Sequence, residues 1–138
     1  MPELADTSVW ARRHLPAVRP WFIAQLLLDE LAVTDMVKLE ILHSARNARE
    51  FDELREELDS LPEAAIGPIE CRRALDVLQQ LAHLRAAQQH RAVKSADLLI
   101  AAAAESRGWT LVHYDSDYEL IGGVTGQPTR WVAERGSL

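Results

Sequence analysis

The chain has 138 residues, 48% of them hydrophobic and 26% charged, which suits one packed domain and leaves little room for two. A formal net charge of −6 argues against nucleic-acid binding through bulk positive charge, and a single cysteine excludes a disulfide framework or a multi-cysteine metal site. No apolar run approaches the ~20 residues of a membrane span, and MPELAD lacks the basic and apolar regions of a signal peptide, so a cytoplasmic protein is expected.

PELAD reads as a short strand closed by Asp6. TSVWARRHL follows as a helix, with Thr7 or Ser8 as its cap. Beyond Pro16 and Pro20, WFIAQLLLDEL is a second helix with a broad apolar surface around Phe22, Leu26 and Leu27. LAVTD is a short strand, and Thr34 or Asp35 caps a third helix, MVKLEILHSARN. AREFDELREELDSL alternates acids and bases at helical spacing, which predicts an exposed fourth helix. PEAAIG is a short strand or a connection. From Pro68, PIECRRALDVLQQLAHLRAAQQHR predicts one long helix, with Leu75, Leu78, Leu81 and Leu84 on its apolar stripe and Cys71 as a structural residue. Ser95 caps the Ala-rich ADLLIAAAAESR, and Gly108 ends it. WTLVHY is a strand leading to Asp115, DYELIGG a turn or short helix, and TRWVAE a last strand.

Helices separate the strands. The pattern predicts an α/β fold in one domain over residues 1–138, with a mostly parallel central sheet of about five strands flanked by helices. The small side chains of residues 101–104 let their helix lie close to that sheet.

In an open sheet of this kind, ligands bind at the carboxyl ends of the strands. Asp6 and Asp115 both fall there. Asp97, in the first turn of the Ala-rich helix, reads equally as a ligand or as a stabiliser of the positive helix end. Glu40 interrupts the apolar run VKLEIL, and its helical neighbours Met36, Val37, His43 and Ser44 include no Lys or Arg. Such a half-buried carboxylate needs a partner from elsewhere, either an arginine or a metal ion. Clustered carboxylates without His or Cys suit Mg²⁺ or Mn²⁺.

The segments LADTSVWAR, VKLEILHSAR, SADLLIAAAAESRGWTLVHYDSDYELI and PTRWVAE together resemble the PIN-domain ribonucleases, and most closely the VapC toxins of bacterial toxin–antitoxin pairs. The resemblance covers almost the whole chain, and the third segment is its most specific part. It implies a PIN-like fold and Mg²⁺-dependent hydrolysis of RNA by an acidic quartet, Asp6, Glu40, Asp97 and Asp115. Asp6 and Asp97 are the foremost metal ligands by this reading. Asp117 stands where many members carry a further acid or polar group. Ser8 matches a small polar residue that orients the site, and it also reads as a helix cap. Where many relatives have Thr or Ser, two residues before the fourth acid, this chain has His113, a general acid, a substrate contact or a filler of the site margin. The resemblance further implies a VapB-type antitoxin, for which the WFIAQLLLDEL surface is a candidate groove wall, and a homodimer.

The basic residues Arg12, Arg13, Arg19, Arg46, Arg49, Arg85, Arg91, Lys94 and Arg130 are candidates for an RNA path or are ordinary solvated charges. Two other classes compete. A receiver-like signalling module needs a lysine after a late strand, and the only lysines are Lys38 and Lys94; a dehalogenase-type phosphatase needs Asp at position 8, which is Ser. A catalytically inactive binding protein of the same fold is the third alternative.

Overall fold

The computed structural model describes residues 1–84 and 89–138. Five strands form one sheet: β1 (Glu3–Ala5), β2 (Leu31–Thr34), β3 (Glu63–Ala64), β4 (Thr110–His113) and β5 (Thr129–Trp131). Their order is β3-β2-β1-β4-β5, and every neighbouring pair is parallel. Eight helices occur among the described residues: α1 (Thr7–Trp10), α2 (Arg19–Leu27), α3 (Asp35–His43), α4 (Ala48–Asp59), α5 (Pro68–Ala82), α6 (Gln89–Ala92), α7 (Ser95–Arg107) and α8 (Asp117–Thr125).

The sheet centre explains the sequence of its strands. β1 and β2 carry Leu4, Ala5, Leu31, Ala32 and Val33, all fully buried, because helices cover both faces of a parallel sheet. Val9, Ile100, Leu111 and Ile121 complete the core around them. Residues Ala101 to Ala104 on α7 are all buried, and α7 packs on α5, α8, β3 and β4. Gly108 ends α7 in the left-handed conformation, with φ 67°, where a side chain would be strained.

Four local expectations are corrected. Asp6, rather than Thr7 or Ser8, caps α1, because its carboxylate accepts the Ser8 backbone N–H. Lys94, rather than Ser95, occupies the cap position of α7, without a side-chain cap bond. The long helix expected from Pro68 stops at Ala82, where the His83 N–H is shared among the carbonyls of Gln79, Gln80 and Leu81. The stretch from Arg85 to Gln88 lies outside the described residues, and with it the expectations placed on Arg85. The buried stripe of α5 runs through Ala74, Val77 and Leu81, whereas Leu75 and Leu84 face outward. Short side chains on that stripe let α5 approach α7 and α8 closely.

The broad apolar surface of α2 is only partly core. Phe22 is buried, edge-on to Trp10, but Leu27 and Leu28 are 81% and 66% exposed. No helix among the described residues is long and apolar enough to cross a membrane.

Candidate active site

Pairing of β1 with β4 places Ala5 opposite Val112, and the next backbone N–H, that of Asp6, donates to the Val112 carbonyl at 2.9 Å. Asp6 therefore leaves the sheet at the carboxyl edge, beside the end of β4. Its Oδ2 accepts from Ser8 N at 2.9 Å, and Ser8 Oγ in turn accepts from Tyr114 N at 2.9 Å. Ser8 thus ties the start of α1 to the loop that carries Asp115.

Asp97 enters from the first turn of α7 and is buried. Asp115 and Asp117 come from the loop and first turn after β4. Asp115 Oδ1 accepts from Asp117 N at 2.9 Å, which folds the two acids onto one face. Oxygens of Asp97, Asp115 and Asp117 lie within 4.8 Å of one another. Asp6 joins this trio through Tyr118, whose hydroxyl lies 2.6 Å from Asp6 Oδ1 and 3.2 Å from Asp97 Oδ1. A single phenol proton serves two carboxyl groups there. With both acids ionised that one proton is all they share, and a proton on Asp97 relieves the crowding.

That protonation agrees with the electrostatics. Burial first, then the adjacent carboxylates of Asp117 and Asp6, push Asp97 up to about 8. Tyr118 is raised well above its usual value by burial and by the charges of Asp6 and Asp97. Burial also pushes Asp115 upward, but the Asp117 N–H and the Lys94 ammonium outweigh it and hold Asp115 low.

Glu40 is exposed on α3, against the expectation of a half-buried position. Partial loss of water and then the charge of Asp6 raise its pKa, so it belongs to the same electrostatic neighbourhood, outside the close trio. His113 is fully enclosed between the rings of Tyr118 and Trp131, with centroids 5.0 and 4.9 Å away. Burial lowers its pKa, and Nδ1 accepts from Asp115 N at 3.2 Å. A neutral ring in this position orients the Asp115 loop.

The donor set fits a hard divalent cation. Every side chain of the trio offers carboxylate oxygen, the ligand type of Mg²⁺ and Mn²⁺. Asp97 Oδ2 is buried with no hydrogen-bond donor, an arrangement that costs stability unless a cation supplies the partner. Lys94 is the one basic side chain paired with the trio among the described residues: Nζ is 3.1 Å from Asp115 Oδ2 and 3.8 Å from Asp97 Oδ2 and Asp117 Oδ2.

Several basic candidates are committed elsewhere. Arg46 and Arg49 pair with Glu50 and Glu53 along α4, and Arg130 makes a two-point contact with Glu3 at 2.8 and 2.9 Å. Arg12 lies at the site, its guanidinium over the Tyr114 ring at 4.7 Å and bonded to the Ser8 carbonyl.

Residues 4–124 match the PIN domain family. Ribonuclease VapC18 of Mycobacterium tuberculosis is 44% identical over 133 residues, with 96% of each chain covered. This chain belongs to the PIN-domain family, within its VapC branch. Ribonuclease VapC51 of the same organism is 38% identical, covering 98% of this VapC chain and 96% of its own. A DNA-bound VapBC structure from Salmonella typhimurium shares the fold, with a TM-score of 0.72 at 17% identity, covering 96% of this VapC chain and 100% of its own. A toxin–antitoxin complex from Klebsiella pneumoniae gives 0.69 at 16% identity, with coverage of 96% and 98%. Membership in the PIN family sets aside the receiver-like and dehalogenase-type readings.

Two residues of this PIN domain were not legible as parts of the site. Tyr118 lies in DYELIGG, expected only as a turn or short helix, and no spacing rule reports its hydroxyl. Lys94 reads as one of several surface cations until the fold turns it back over the acids.

Proposed function

We propose that this VapC chain is the ribonuclease toxin of a toxin–antitoxin pair and hydrolyses RNA phosphodiester bonds with a divalent cation, Mg²⁺ or Mn²⁺. The observation that carries the reading is the meeting of Asp97, Asp115 and Asp117 at the carboxyl edge of β4, with a buried Asp97 oxygen lacking a donor. Curated relatives named as ribonucleases support the reaction type.

Asp97, Asp115 and Asp117 would hold the cation, with Asp6 beside them through Tyr118. A divalent cation held there would neutralise charge at a phosphate and supply a more acidic water. In this reading Glu40, exposed and with a pKa raised by partial desolvation and by Asp6, takes the proton of the attacking water. Arg12 offers a phosphate contact at the rim. Tyr118 and His113 act on the acids rather than on RNA, by fixing Asp6, Asp97 and the Asp115 loop.

The proposed partner is a VapB-like antitoxin. Solved neighbours include VapBC complexes, and the exposed leucines of α2 offer the apolar face that an amphipathic partner segment requires.

RNA cleavage by the purified chain tests the proposal. Cleavage is expected with Mg²⁺ and absent with EDTA, with Asp6→Ala and with Asp97→Ala. Undiminished cleavage in EDTA overturns the metal-assisted mechanism. A folded wild type that binds RNA but never cuts it favours the inactive binding protein.

A further inference from the structure

The three acids grouped in the site are also the ones around one ammonium group. Lys94 Nζ lies 3.1 Å from Asp115, and 3.8 Å from both Asp97 and Asp117. It therefore occupies the neighbourhood in which a divalent cation would bind. We propose that Lys94 is an internal stand-in cation, which holds Asp97, Asp115 and Asp117 together when no metal is bound and which metal must displace. The proposal rests on the metal-binding reading given above.

Placement of the residue supports this role. Lys94 is anchored by its main chain independently of its ammonium contacts. It sits at the cap position of α7 in extended conformation, and its backbone N–H donates to Asp117 Oδ2 at 3.3 Å. The side chain then folds back over the helix start, three residues ahead of Asp97. Its flexible stem is 67% exposed, so the ammonium can leave the acids without uncovering the core. The contact to Asp97 Oδ2, at 3.8 Å, is too long for a hydrogen bond, and that buried oxygen remains without a donor. An ammonium thus offsets one charge of the trio and completes the bonding of only Asp115. A divalent cation would bring twice the charge of an ammonium, and the two cations would compete for the same acids.

This account assigns a sign that ordinary support of the site does not. If Lys94 merely stabilised the metal-bound site, its removal would weaken metal binding. If it competes with the metal, removal strengthens binding.

Mn²⁺ titration of the wild type and Lys94→Met, read by the electron paramagnetic resonance of free ion, separates the two. The expected result is tighter binding by Lys94→Met, on the order of fivefold, the scale of an exposed ion pair. Without metal, thermal unfolding of the variant should begin at lower temperature, and Mn²⁺ should raise its melting temperature by more than it raises that of the wild type. Lys94→Gln, a polar neutral replacement, should behave in the same way. Equal or weaker Mn²⁺ binding by both variants, with the wild type binding normally, overturns the role of Lys94 and leaves the metal site intact. Failure of the wild type to bind Mn²⁺, or equal binding by Asp97→Asn, overturns the metal site and the proposal together.

Discussion

The Tyr118 hydroxyl lies 2.6 Å from Asp6 Oδ1, joining the first turn of α8 to the residue that leaves β1, across 112 positions of sequence. The same oxygen is 3.2 Å from Asp97, so one buried phenol sets the spacing of two acids. Tyr118→Phe keeps the ring in the core and removes only this link. Orienting groups behind metal ligands are worth about 10–100-fold in metal affinity or activity. Mn²⁺ binding by Tyr118→Phe should weaken by about tenfold, with the fold retained by circular dichroism. Unchanged affinity would mean that the carboxylates find their positions without the phenol.

Stability of the metal-free protein should fall as pH rises from 6.5 to 8. Asp97 is raised from 3.8 to about 8 in the folded chain, so in this window the native state holds a proton that the unfolded state has lost. The state holding fewer protons, the unfolded one, gains as pH rises. Below 6.5 His113 acts in the opposite sense, because burial lowers its pKa and the unfolded chain takes up the proton first. Urea midpoints at pH 6.5 and 8 should show the loss in the wild type and little change in Asp97→Asn. Over the same range Mn²⁺ should bind more tightly as pH rises, since it replaces that proton. An Asn variant with the full wild-type slope would assign the titration to another group.

Asp117 should matter more to metal binding than Glu40. Asp117 is one of the three closely spaced acids, whereas Glu40 is exposed and lies outside them. Calorimetric titration with Mn²⁺ should show a larger loss for Asp117→Asn than for Glu40→Gln. Cleavage should suffer in both under the proposed mechanism, which gives Glu40 the proton of the attacking water. The reverse order of metal affinities would move the cation toward Asp6 and Glu40.

Arg130 and Arg12 should separate stability from RNA affinity. Arg130 is bound at two points to Glu3 and lies over the Trp21 ring at 5.1 Å. Arg130→Ala should cost about 1 kcal/mol, the upper range for a partly exposed ion pair, and leave RNA binding at fixed salt unchanged. Arg12→Ala should weaken RNA binding and reduce its salt dependence by about one phosphate contact. Equal RNA affinities in the two variants would remove Arg12 from the RNA path.

The strands and their parallel direction are legible in the sequence because β1, β2 and β4 are short apolar runs separated by helical patterns. Their order is not, since nothing local in ELA says that β1 lies between β2 and β4. The acids Asp6, Asp97 and Asp115 are legible from their places at strand and helix ends. Asp117 is legible as an addition, but its place in the close trio follows from a backbone hydrogen bond to Asp115. The stop at Ala82 has no local signal, as the helix formers of AHLRAA continue past it without Gly or Pro. The leucine stripe of α5 misleads for a related reason: hydrophobicity favours Leu75 and Leu84, whereas close packing selects Ala74 and Val77.

Pairing of β1 with β4 also sets a time order during synthesis. The main-chain bond from Asp6 to Val112 and the phenol bond from Tyr118 need residues made more than a hundred steps after Asp6. At about 5–20 residues per second, the ribosome exposes Asp6 seconds before any of its partners exists. A growing polypeptide shorter than 118 residues lacks the phenol that links Asp6 to Asp97, so the acidic cluster takes its final form only near the end of synthesis.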